Sequence, residues 1–102
     1  MVQNLHNRRI RLTVERQAHI ETDHPEMSEQ IGKIQGTLLN PDEIVSLITD
    51  DFVELFYRHY EKTPVTDKTL CVVVKAVGHN MFIITSYFTN ATKKGTSLWK
   101  RK

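Results

Sequence analysis

Residues 69–89 read TLCVVVKAVGHNMFIITSYFT, two runs rich in β-branched and aromatic residues joined by Gly78-His79-Asn80. Such runs, broken by a short turn signal, read as two antiparallel strands, Thr69 to Val77 and Met81 to Thr89. Upstream, Ile44 to Ile48 and Phe52 to Tyr60 have the same character and are separated by Thr49-Asp50-Asp51. A loop from Glu61 to Lys68, containing Pro64, links them to the later pair. The expected arrangement is a meander of about four antiparallel strands. Asn40-Pro41-Asp42-Glu43 is a turn signal that also has the form of a helix start, and the β-branched run after it decides against a long helix.

The N-terminal third has helical character. Around residues 14 to 24, Arg16, His19 and Asp23 fall at i, i+3 and i+7, along one helical face. His24-Pro25 interrupts that helix, because the residue before proline is pushed away from the α region. Pro25 suits the first turn of a second helix, in which Met27, Ile31, Ile34 and Leu38 make an apolar stripe. An additional short strand fits Arg9 to Val14. Helices followed by an antiparallel sheet give an α+β class.

At 102 residues the chain has room for one domain, and neither repeats nor a Gly/Ser linker divide it. With 39% hydrophobic and 25% charged residues the composition is that of an ordinary globular domain. Its single cysteine, Cys71, lies inside an apolar run and reads as a small buried hydrophobe, which suits a reduced, cytoplasmic compartment. Residues 1 to 14 contain no apolar stretch of signal-peptide type, and no run is long enough to span a membrane. The formal charge of +2 is concentrated at the ends. Residues 1–12 and 90–102 are expected as basic termini, which either bind a polyanion or serve as solubilising tails.

Strand alternation separates a core face from a second face. Strict alternation puts Phe82, Ile84, Ser86 and Phe88 on one side of the last strand, and Met81, Ile83, Thr85, Tyr87 and Thr89 on the other. In the preceding strand Leu70, Val72, Val74 and Ala76 oppose Cys71, Val73, Lys75 and Val77. Lys75 either snorkels from a solvent-facing surface or faces a phosphate. The segment from Glu15 to Glu26 carries His19 and His24, the side chains suited to move protons near neutral pH, and Arg16, which suits a phosphate. RNA is cut without metal when its 2′-hydroxyl attacks the adjacent phosphorus. That reaction needs a base, an acid and cations for the phosphorane, roles within reach of histidine, arginine, lysine and tyrosine. His-x4-His puts the two histidines far apart around a helix, and zinc-protease, P-loop, dinucleotide and serine-hydrolase signatures are absent. Neither a metal nor an organic cofactor is expected.

The run ERQAHIETDHPEM, residues 15–27, resembles the arginine–histidine helix of the phage-associated barnase–EndoU–colicin–RelE-like (BECR fold) nucleases. TLLNPDEI resembles the turn leading into their sheet, LCVVVK the penultimate strand, and FIITSYFTNATKKGTSLW the final strand with its Lys-Lys-Gly…Trp ending. Together these blocks span about residues 13 to 100. The resemblance implies N-terminal helices followed by a four-stranded antiparallel sheet, and a toxin-like endoribonuclease acting on RNA, often transfer RNA. By motif position it implies Arg16, His19, His24, Lys75, Thr85 and Tyr87 as catalytic residues. Ser86 stands where the family pattern suggests alanine. Arg58, Lys93, Lys94 and Trp99 are expected substrate contacts, although Trp99 equally suits an anchor of the C-terminal segment to the core. A neutralising antitoxin or immunity protein is an expected partner, and a membrane is not. Two other readings share the fold, a non-catalytic RNA-binding module and a protein-interaction or phage-assembly domain.

Overall fold

A computed structural model describes residues 2–3, 8–66, 68–90 and 95–101. Strand β1 (Val2–Gln3) pairs antiparallel with β2 (Arg9–Ile10), and α1 (Val14–Asp23) follows. A single 3-10 turn (Pro25–Met27) leads to α2 (Ile31–Leu39). The strands β3 (Glu43–Leu47), β4 (Val53–His59), β5 (Thr69–Val77), β6 (Asn80–Thr89) and β7 (Gly95–Lys100) complete the chain. They form one antiparallel sheet in the order β6-β5-β4-β3-β7. Among the described residues the architecture is α+β, with two α-helices and a five-stranded antiparallel sheet.

Local chemistry explains most of the boundaries. Thr13 caps α1, its hydroxyl accepting from the Arg16 N–H at 3.0 Å. The helix stops at His24, before Pro25. The Asn40-Pro41-Asp42 segment is a turn, in which Asp42 Oδ2 accepts from the His59 N–H at 2.8 Å. Between β3 and β4, Asp50 Oδ1 accepts from the Phe52 N–H at 2.9 Å, a side-chain-closed turn.

Three expectations are corrected. A fifth strand, β7, forms from residues read as a basic ending, and it pairs with β3 at the sheet edge. Mostly exposed, it lacks the apolar run that marks a buried strand. The second helix does not run on from Pro25. Glu29 takes a left-handed conformation with φ 64°, so Met27 and Ile34 reach the core on either side of a break while Ile31 is left 36% exposed. Lastly, a β-bulge opposite Val73/Val74 shifts the register of β6. Met81 and Ile83 therefore face the core together with Ser86 and Phe88, whereas Phe82 is exposed.

The main core lies between the sheet and the helices. Ile20, Met27, Ile34 and Leu38 pack on Ile44, Phe56, Leu70, Val72, Val74, Met81, Ile83 and Phe88. A second buried cluster, Val45, Val53, Leu55, Tyr57, Cys71 and Val73, occupies the opposite face and includes no helix residue. Sheet curvature accounts for its burial. Asn90 and Gly95 are five peptide units apart and so lie within about 18 Å. Strands at opposite edges of a flat five-stranded sheet would be about 19 Å apart, before any return along the strand direction. The sheet must curl to bring its edges together. Gly95 sits where this return enters the sheet, and a Cβ there would overlap the backbone carbonyl of Ser46. Only glycine fits that approach of β7 to β3.

Candidate functional site

Ile20 is 3% exposed and fixes α1 onto the sheet. One turn later His24 ends the helix, its backbone N–H donating to the Ile20 carbonyl at 2.7 Å. The inward placement of Ile20 carries His24 with it, because residues four apart share a helix face. The His24 ring lies against Tyr87 of β6, with ring centroids 5.6 Å apart and planes tilted by 30°. Its Nδ1 is 3.4 Å from Glu26 Oε1, a contact set by the Pro25 turn. A carboxylate facing one ring nitrogen orients the imidazole and leaves Nε2 for proton transfer.

Tyr87 stands opposite Cys71 on the second sheet face. Burial, reinforced by the adjacent Cys71 thiol that it hydrogen-bonds and by Tyr57, pushes its phenol well above the ordinary range. Tyr87 is therefore a neutral hydrogen-bond donor across the physiological range. The folded state favours the protonated phenol, so that contribution is full below the ordinary phenol value of 10.0 and is lost as pH rises beyond it. Urea denaturation across the alkaline range is expected to show falling stability, and Tyr87→Phe to reduce the fall.

Thr85 pairs with Val73 beside the bulge and shares the face of Tyr87. Lys75 also lies on this face but at its other end, four residues from Cys71 and so roughly 13 Å along β5. Its Nζ is 3.8 Å from Asp50 Oδ2, in a pair about one-third exposed on each side. An ion pair this exposed contributes little and exchanges readily for a phosphate.

The remaining expected residues are placed elsewhere. His19 projects into solvent, 63% exposed, with Nε2 4.0 Å from Glu15 Oε1. The face that Arg16, His19 and Asp23 share is the solvent face of α1. Arg16 is at the opposite end of α1 from His24, in a shallow cavity with Arg11, Thr13, Phe82 and Ile83. Arg58 points to the helix side, where its Nη1 donates to the carbonyls of Gly36 at 3.3 Å and Asn40 at 3.4 Å, and its guanidinium covers the Tyr60 ring. It supports the C-terminal end of α2, where the carbonyls attract a cation. Trp99 packs against the main core and is placed as an anchor for β7. Lys93 and Lys94 lie outside the described residues. Residues 95–101 of the basic C-terminal segment are built into the fold, by the pairing of β7 with β3 and by Arg101 Nε, which lies 3.4 Å from Asp42 Oδ1. Sequence reasoning missed Glu26 as the partner of His24. The signal was available, because proline between the two residues fixes a tight turn that faces them.

Among the described residues no three His, Cys, Asp or Glu side chains gather as a metal site, and no helix is long and apolar enough to cross a membrane. Compared with protein-family models, curated proteins and solved structures, the chain matches none of them.

Proposed function

We propose that this protein is a metal-independent endoribonuclease of the toxin kind, on a BECR-type version of the α+β fold, with transfer RNA among its substrates. The observation that carries this reading is the His24 ring held between the Glu26 carboxylate and Tyr87. It supplies a positioned proton acceptor beside a protonated donor. His24, oriented by Glu26, takes the proton of the 2′-hydroxyl as the 2′-oxygen bonds to phosphorus. The bond from phosphorus to the 5′-oxygen breaks, and that oxygen takes the phenolic proton of Tyr87. An alkoxide is basic enough to do so even though burial holds this proton tightly. Proton exchange with water then restores both groups. Thr85 orients a phosphate oxygen, while Lys75, roughly 13 Å along β5 from the position opposite Tyr87, meets a phosphate farther along the chain rather than the phosphorane. Arg16 binds the chain farther along rather than at the reacting phosphate. The sequence resemblance supports the same chemistry. In a host cell such an enzyme acts in the cytoplasm and requires a neutralising protein.

The test is incubation of the purified protein with mixed transfer RNA in EDTA, resolved on a denaturing gel. Discrete fragments are expected. RNA that stays intact but shifts on a native gel supports a binding module instead, and RNA neither cut nor bound supports a protein-interaction domain.

A further inference from the structure

The edge of the sheet beside α1 carries an aromatic and cationic surface separate from the His24 cluster. Arg11 forms a parallel bridge with Phe82, its N–H donating to the Met81 carbonyl at 2.8 Å and its carbonyl accepting from the Ile83 N–H at 2.9 Å. These two backbone bonds fix residue 11 against β6. Ile10 and Leu12 turn into the main core on either side, so the Arg11 side chain is directed to the same face as Phe82. Phe82 is 38% exposed, an aromatic that the bulge in β6 sets outside the core. Lys75 is its cross-strand neighbour on β5. On the other side Arg11 and Arg16 line, with Thr13 and Phe82, a cavity of about 200 Å³. Among the described residues, no carboxylate lies within ion-pair distance of Arg11 or Arg16. An aromatic ring flanked by cations, two of them without a carboxylate partner, has the chemistry of a nucleotide subsite. A base stacks on the ring while neighbouring phosphates meet the guanidinium groups.

We propose that Phe82, with Arg11 and Arg16, forms a base-stacking subsite for single-stranded nucleic acid. It holds a nucleotide away from the scissile bond. Phe82 and Tyr87 are five residues apart on β6, roughly 15 Å, a distance that a few nucleotides bridge. The inference rests on the nuclease reading for its place in the reaction, but the subsite itself is defined by binding. It selects single strands, because a base paired and stacked in a duplex has no free face for the ring. It tolerates any base, because every base offers a π-face.

The experiment measures binding of fluorescein-labelled single-stranded DNA of eight thymidines by anisotropy at low salt. DNA lacks the 2′-hydroxyl, so the measurement is independent of cleavage. Phe82→Ala is expected to weaken binding roughly 5- to 100-fold, Phe82→Leu about as much, and Phe82→Trp to preserve it. Phe82→Leu keeps an apolar side chain, so its loss separates stacking from a folding defect, with a thermal melt as control. Arg11→Ala and Arg16→Ala are each expected to make the dependence of log Kd on log salt shallower by about 0.7. Equal affinity for Phe82→Leu, Phe82→Trp and the parent protein overturns the subsite, as does an oligonucleotide that fails to bind at all. Cleavage that survives with an affinity indifferent to Phe82 removes the subsite and leaves the nuclease reading standing. Stacking at Phe82 with RNA never cut does the reverse.

Discussion

His24→Ala is expected to lower kcat/KM for transfer RNA cleavage by about 10²- to 10⁴-fold, the range lost with a positioned acid–base group. His19→Ala is expected to stay near the parent rate. The contrast follows from placement. Both histidines lie on the same helical segment, but only His24 meets Tyr87 and faces a half-buried carboxylate. The His19–Glu15 contact is a solvent-exposed pair one turn apart. His24→Gln keeps the bulk and polarity against Tyr87, so its inactivity with an unchanged melting curve assigns the loss to chemistry. Equal losses in the His19 and His24 variants, or none in either, would sink the site described here.

The largest effect on stability is expected at Phe56. Its ring is 0% exposed, in the strand at the centre of the sheet, beneath α2. Removing it leaves a cavity that the surrounding β-strands cannot close, and Phe56→Ala is expected to cost about 3–5 kcal/mol. A domain of this size has about 5–15 kcal/mol in total, so the variant should be marginal at 37 °C. Phe52→Ala provides the comparison. That ring is 56% exposed, and its loss is expected to cost within about 0.5 kcal/mol. Urea denaturation followed by circular dichroism distinguishes the two, and similar midpoints would show that the core does not lie where Phe56 places it.

The strands rich in β-branched residues were legible because composition, alternation and turn residues agree there. β5 covers the span expected from Thr69 to Val77, and α1 ends at the histidine before proline. What escaped depended on tertiary context. The bulge in β6 has no glycine to announce it, yet it turns Met81 and Ile83 to the same side as Ser86 and Phe88 and leaves Phe82 outside. β7 offers Trp99 as its main apolar anchor and is specified by pairing with β3, an interaction spanning about half the chain. The break before α2 lies at Glu29, whose left-handed backbone no periodicity reveals. At the candidate site, the histidines, Lys75 and Tyr87 stood out as residue types, but spacing on α1 favoured the solvent face. Ile20 is the residue that orients the helix. Counting from Ile20 rather than from Arg16 brings His24 to the sheet and leaves His19 outside. The ion pair of Lys75 with Asp50 joins a turn to a strand 25 residues away and was not readable locally.

Transesterification by the 2′-hydroxyl at the proposed His24 site leaves product ends that other routes of cleavage do not. A defined oligoribonucleotide would be incubated in EDTA with the parent protein and with His24→Gln, and the fragments weighed by mass spectrometry. A 2′,3′-cyclic phosphate is expected on one fragment and a 5′-hydroxyl on the other, with both absent for His24→Gln. Fragments carrying a 5′-phosphate and a 3′-hydroxyl, or the same cyclic ends with the histidine removed, would contradict that mechanism.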